Sequence, residues 1–232
     1  MKKLICLLLL LCMLFSLTAC GGSELKDVTL LVKGNIDVIY LGKYDPAYLK
    51  LVDSNERIAE QEYLSGLEVE AEYFAHYWGI VDSNYDESFE DLDESFRQEI
   101  IELYREIYSH SKYEVQEAIK QDESSYAVKV LIDPIDVMDQ AVTLYENDEY
   151  EPLNDFWVKY ADADFSLMSD EEYLNYTHEY GRIIVQLVRD QLPNLGYMEQ
   201  KSQTLQVQET DGVQTINSDD WAIFDSYVIY YP

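Results

Sequence analysis

Basic residues are scarce in this chain: 16 Lys and Arg stand against 46 Asp and Glu in 232 residues, a net charge of −30. That balance excludes a nucleic-acid partner held by phosphate neutralisation. Cysteine is confined as well, because Cys6, Cys12 and Cys20 fall in the first twenty residues and none follows. The rest of the chain therefore cannot close a disulfide. Histidine is rare, and His76, His110 and His178 have neither a second histidine nor a cysteine at ligand spacing. His178-Glu179 lacks the second histidine of His-Glu-x-x-His, so zinc chemistry is not expected. The motifs Gly-x-Ser-x-Gly, Gly-x-x-x-x-Gly-Lys and Gly-x-Gly-x-x-Gly are missing, which removes the common hydrolase, nucleotide and dinucleotide sites; no cofactor is implied. Internal repeats and low-complexity tracts are also absent, so solenoids and mucin-like stalks are disfavoured. So are the two α/β lobes of a solute receptor, which need a longer chain and alternating strand and helix patterns.

What is present is enough apolar material to fold: 47% of residues are hydrophobic and 13% aromatic. Met1, Lys2 and Lys3 make a basic start, Leu4 to Phe15 is an unbroken apolar run, and Leu17-Thr18-Ala19-Cys20 follows. The run is short for a permanent membrane span, and the pattern is that of an export signal. Leu17-Thr18-Ala19-Cys20 resembles the lipobox of bacterial prolipoproteins. The resemblance implies cleavage before Cys20, a palmitate-bearing diacylglycerol on its sulfur, and anchorage at the extracytoplasmic face of the cell membrane. The expected organisation is a signal peptide over 1–19, a lipidated tether over 20–26 and one α+β domain over 27–232. Loss of Lys2 and Lys3 leaves 14 basic residues against 46 acidic ones, a mature balance of −32. Such a body is repelled by anionic head groups and stands off on its tether.

Along the mature chain, Val28 to Leu41 and Pro46 to Val52 read as helices. Leu64, Leu67, Ala71, Phe74 and Trp78 then form one apolar stripe of a long acidic helix. Leu92, Phe96, Ile100, Leu103 and Ile107 mark the next helix, with Ser88 and Asp91 at capping-box spacing ahead of it. The period changes to two at Tyr113, Val115 and Ile119, and again at Tyr126, Val128, Val130 and Ile132, which predicts a β-hairpin. Asp133-Pro134 and Glu151-Pro152 each open a helix, the second with Leu153, Phe156, Trp157 and Tyr160 inward. Ser169 and Glu172 cap a long helix carrying Tyr173, Tyr176, Tyr180, Ile184 and Leu187, which Pro193 and Gly196 end. A second hairpin turns at Asp211-Gly212, and Trp221, Phe224, Val228 and Tyr231 keep helical spacing to the end. The expected fold is α+β, with amphipathic helices packed on a small antiparallel sheet built from two β-hairpins. Phe74, Trp78, Phe96, Ile100, Val128, Val130 and Trp157 are the expected core. Stretches such as "YAVKVLIDP" and "DGVQTINSDDWAIF" resemble uncharacterised lipoproteins of Gram-positive bacteria, over less than half of the chain. That likeness implies a compartment and a cone-shaped α+β fold without an activity.

Few residues suggest chemistry. Asp82, Asn84, Asp86 and Asp93 occupy ligand positions of a possible calcium loop, but Glu87 stands where glycine allows the sharp turn and Asp93 is shorter than the usual bidentate Glu. An acidic surface loop is the preferred reading, with no metal site expected. Ser109-His110-Ser111-Lys112 contains Ser-x-x-Lys without its partner motifs, at a helix-to-strand change. With 46 carboxylates some pair falls at any spacing, so no catalytic residue is nominated. The 21 tyrosines are unusual, although Tyr173, Tyr176 and Tyr180 keep the spacing of a core stripe. The expected function is a membrane-anchored binding or scaffold module, its ligand a protein, peptide or glycan. A cell-envelope enzyme using carboxylate acid/base chemistry and a calcium-responsive surface module are the alternatives.

Overall fold

The structure is a computed structural model that describes residues 24–81 and 88–232. Its contacts separate into two compact units, each assembled from distant parts of the chain. The first takes in residues 24–66, 108–135 and 197–230, the second residues 67–81, 88–107, 136–196 and 231–232. The architecture is α+β, as the periodicities predict.

The first unit holds the sheet. Strands β1 (Lys112–Val115) and β2 (Ile119–Lys120) both pair antiparallel with β3 (Ser125–Asp133), which pairs with β4 (Lys201–Thr210), which pairs with β5 (Val213–Ile216). Register sets the buried face: Tyr126 lies opposite Val207, Val207 opposite Ile216, and Val128 opposite Leu205. All five side chains are buried, whereas Lys129 and Thr204, paired on the other face, are exposed. Period two thus converts directly into one dry face and one wet face. Asp211 (φ 54°) and Gly212 (φ 80°) make the β4–β5 turn, both in the left-handed region that two-residue hairpin turns require. Helices α1 (Glu24–Leu41) and α8 (Ser218–Asp225) pack on β3 and β4 respectively, and α2 (Pro46–Leu51) packs on α1. Gly34 allows that last approach, because a Cβ there would lie 2.0 Å from the Tyr48 ring. Asp37 is the buried carboxylate of α1; it accepts from Tyr113 Oη and Lys33 Nζ.

The second unit is helical. It contains the C-terminal part of α3 (Glu56–Tyr77), most of α4 (Glu94–Ser109), α5 (Val137–Glu146), α6 (Glu151–Lys159) and α7 (Asp170–Gln191). Phe74, Phe96, Ile100, Leu103, Met138, Phe156 and Ile184 form its centre. Gly181 lets α7 close on α4, since a Cβ there would sit 2.4 Å from Phe96 Cζ.

Four expectations are corrected. Trp157, expected in the core, is 40% exposed. Leu64 is also exposed, because the buried line of α3 runs through Tyr63 and Leu67 instead. Ile119 faces solvent and Ala118 is buried in its place, because the chain breaks between β1 and β2 and the alternation restarts. The terminal helix stops at Asp225; Ile229 then forms a bridge to Ile135, which holds the tail extended.

Candidate functional site

The strongest candidate is a surface on the second unit, built where α6 meets α7. Pro152 in the first turn of α6 fits a position whose N–H has no helical partner. The connection to α7 is only ten residues and carries a 3₁₀ turn, Phe165–Leu167, capped by Asp164, whose carboxylate accepts from Ser166 N at 3.1 Å. Helix α7 then starts in a full capping box: Ser169 Oγ accepts from Glu172 N, and Glu172 Oε2 accepts from Ser169 N and Oγ at 2.8 Å. Those backbone and hydroxyl donors hold the Glu172 carboxyl below the usual carboxylate range. A short link with fixed ends brings α6 and the first half of α7 side by side.

Between them is an aromatic cluster centred on buried Phe156. Trp157, Tyr160, Tyr176 and Tyr180 surround it at ring distances of 5.1, 4.8, 5.0 and 5.7 Å. Tyr176 extends the cluster to Phe165 at 4.9 Å and to Tyr173 at 6.3 Å. Tyr180 anchors it below, donating to the Trp78 carbonyl at 2.9 Å, and burial raises its phenol pKa. The upper rings are only partly covered: Trp157 is 40% exposed, Phe165 45% and Tyr173 38%, with Leu167 of the 3₁₀ turn at 80%. Large apolar side chains gathered in the open mark interaction sites on soluble proteins.

The segments that carry these rings are rich in carboxylates. Residues 151–179 hold eight Asp and Glu against one lysine. Asp155, Asp162, Asp164, Asp170, Glu171 and Glu172 are all exposed. Lys159 is occupied, donating to Glu179 at 2.6 Å, and Tyr160 Oη donates to the same carboxylate at 2.8 Å. Lys159 first, and Tyr160 after it, hold the Glu179 carboxyl below its ordinary range. Other side-chain donors are taken too: Ser166 Oγ donates to Asp164, Ser169 Oγ to Glu172, and Asn154 Nδ2 to the Asp148 carbonyl. The surface therefore offers exposed rings and negative acceptors, with the donors of Asn154, Lys159, Tyr160, Ser166 and Ser169 already bonded within the protein.

The residues singled out in the sequence lie elsewhere. Cys20, Asp82, Asn84 and Asp86 are outside the described residues. Asp93 is described, and it starts α4: its carbonyl accepts from Phe96 N and Arg97 N at 2.9 Å. Its carboxylate lies 3.1 Å from Nδ1 of buried His178, while its own N–H points to His178 Nε2 at 3.4 Å. Burial of the imidazole lowers the His178 pKa against the opposing pull of Asp93. Ser109 ends α4 and Lys112 begins β1, so the two do not share a helical turn; Lys112 Nζ instead lies 3.8 Å above the Tyr197 ring. The His110 carbonyl accepts from Tyr197 Oη, and His76 Nδ1 lies 3.2 Å from the Val81 carbonyl. Among the described residues no three His, Cys, Asp or Glu side chains gather as a metal site, and no helix is long and apolar enough to cross a membrane. Of the exposed surface, Trp157 and Tyr173 were assigned to apolar stripes and Phe165 and Leu167 were not singled out. Three large apolar residues, Phe165, Leu167 and Met168, within the otherwise small and polar stretch Asp162 to Asp170 are the available signal.

No protein-family model matches the chain, and no curated protein matches it. Among solved structures, it is similar to the crystal structure of "a putative lipoprotein (ycdA)" from Bacillus subtilis, with a TM-score of 0.58 and 16% sequence identity. The likeness covers 90% of this chain and 58% of that one, so this chain spans little more than half of its neighbour's length. What the two share at that identity is a fold.

Proposed function

We propose that this chain is a lipid-anchored extracytoplasmic lipoprotein, held at the cell membrane through Cys20, that works as a binding module, and that its ligand docks on the aromatic surface of α6 and α7. The anchor reading rests on the basic start, the apolar run and Leu17 to Cys20, and the fold likeness to a protein described as a lipoprotein supports it. The binding reading is carried by one observation: Trp157, Phe165 and Tyr173 stay exposed while joined to a buried aromatic base. Rings fixed from below present a rigid apolar area with little ordering entropy left to lose on binding.

Two measurements test the parts separately. Cys20→Ser releases the protein from the membrane fraction into the soluble one; retention equal to wild type refutes the anchor. A photo-cross-linker placed at Leu167 captures a discrete envelope adduct that Trp157→Ala abolishes. The same adduct from a cross-linker at exposed Lys129 on the sheet refutes the docking surface.

A further inference from the structure

We infer that the partner of this surface is a cationic, amphipathic polypeptide segment, one that presents Lys or Arg beside apolar side chains. The inference rests on the binding reading above and names its ligand chemistry. Three features of the surface carry it.

The first is the sign of the charge. Seven exposed acids, Glu151, Asp155, Asp162, Asp164, Asp170, Glu171 and Glu172, lie in the same segments as the rings. The one local cation, Lys159, lies in a pair with Glu179. Of the acids here, Glu172 and Glu179 are held below the ordinary carboxylate range by the donors bonded to them. A segment of opposite charge is steered onto such a patch, and an anionic one is repelled.

The second is hydrogen-bond polarity. Ionised carboxylates only accept, and Lys159, Tyr160, Ser166, Ser169 and Asn154 already donate within the protein. For the carboxylates a ligand has to bring donors. Lys and Arg side chains are donors without acceptors and carry the opposite charge, whereas a sugar hydroxyl donates to a carboxylate without neutralising it. Phospholipid head groups bring negative phosphate and fit worse.

The third is the floor of the site. The exposed faces of Trp157, Tyr173 and Phe165 accept both apolar contact and a cation above the ring. Lys159 already shows that geometry here, its Nζ 4.8 Å from the centre of the Tyr160 ring. Apolar residues on the segment cover Leu167 and Phe165 while its cations reach the carboxylates, the pattern of an amphipathic helix laid on a groove.

The experiment titrates the ectodomain with a synthetic leucine–lysine amphipathic peptide, its leucine–glutamate counterpart, a chitin oligosaccharide and vesicles of phosphatidylglycerol with phosphatidylcholine. Wild type binds the leucine–lysine peptide, and Trp157→Ala weakens that binding at least about tenfold. The double charge reversal Asp162→Lys with Glu171→Lys weakens it comparably, as does added salt. A urea melt of each variant confirms that it folds. Equal affinity for the leucine–glutamate peptide, lost in Trp157→Ala, overturns the cationic partner and leaves the docking surface standing. Binding of the oligosaccharide or the vesicles in place of the basic peptide, lost in Trp157→Ala, overturns it in the same way. Leucine–lysine binding that neither variant weakens, or no binding of that peptide to wild type, overturns the inference outright.

Discussion

Gly181 and Phe96 offer a direct test of how α7 meets α4. Phe96 is fully buried, its ring 5.4 Å from that of His178, and a Cβ added at Gly181 would lie 2.4 Å from its Cζ. Phe96→Ala removes a complete buried aromatic ring and costs about 3–5 kcal/mol. Gly181→Ala forces the new methyl against that ring and towards Ile80 Cγ2 at 3.2 Å, an overpacking cost of about 1–3 kcal/mol. The same change improves helix propensity by about 1 kcal/mol, so the single variant is destabilised by about 0–2 kcal/mol. In the Phe96→Ala background the main clash is gone, and Gly181→Ala becomes neutral or stabilising. The two substitutions then couple by about 1–3 kcal/mol, outside the error of about 0.5 kcal/mol expected for independent sites. Urea unfolding of the four proteins, followed by far-ultraviolet circular dichroism, measures the coupling provided the m-values agree. Additivity within that error would falsify the glycine contact, and an unmoved midpoint for Phe96→Ala would remove it from the core.

His178 makes stability pH-dependent with a definite sign. Burial depresses its folded pKa below the ordinary 6.5, so the unfolded chain binds more protons between the two values. Stability is full above about pH 6.5, falls as pH drops towards the folded value and levels below it. Melts from about pH 7.5 to about pH 5.5 should show this decline in wild type, and a flatter profile in His178→Gln; the same slope in both refutes the assignment. Glu172 and Glu179 do not confuse that window, because their folded pKa values are depressed below 4.5 and their contributions fade only in stronger acid. Charge repulsion across the mature balance of −32 predicts that added salt raises the melting temperature, as the Debye length shortens to about 8 Å at physiological ionic strength. Sodium, magnesium and calcium chlorides at matched ionic strength should act alike, because Glu87 occupies the turn position of the calcium-loop pattern. Saturable stabilisation by micromolar calcium, lost in Asp82→Ala, would install a calcium site instead.

Periodicity located most elements because apolar spacing reports the face that faces inward, and each failure marks where that rule stops. Ser88 and Asp91 do form a capping box, yet it closes only the 3₁₀ turn Phe89–Asp91. Leu92 is then extended, and α4 begins afresh after Asp93. A capping box is satisfied by one turn and cannot say how many follow. Ile119 continues the alternation of Tyr113 and Val115 on paper, but an alternation survives only while the strand is unbroken. Residues 116–118 interrupt β1 and β2, and Ala118 takes the inward place, its N–H donating to Thr29 Oγ1 at 2.9 Å. Trp221, Phe224 and Val228 keep helical spacing beyond the end of α8, because the turns over residues 226–228, closed by Tyr227 N–H to the Phe224 carbonyl and Val228 N–H to the Asp225 carbonyl, still carry Val228 to a buried place.

Trp157 shows why the docking surface was the least legible part. On α6, Leu153 and Phe156 are buried, and Trp157 belongs to the same apolar sector of the helix. A stripe in the sequence records which face avoids water; it does not record whether the chain has anything left to cover it. In this unit Phe156 of α6 meets Tyr176 of α7, and Trp157, Phe165 and Tyr173 form a partly exposed margin beside them. The acids tell against simple misplacement of core residues. If the margin only failed to be buried, its polar neighbours would be expected to keep the balance of the whole chain, 46 acids to 16 bases. Here eight acids accompany one lysine, and that lysine is held by Glu179. Part of the bias serves α7, since Asp170, Glu171 and Glu172 fall in its first turn and favour the positive end of the helix dipole. Asp155 and Asp162 have no such role: Asp155 lies within α6 and Asp162 in the link after it. Exposed rings with one-signed acceptors beyond the needs of the helix are the features on which the proposed docking surface rests.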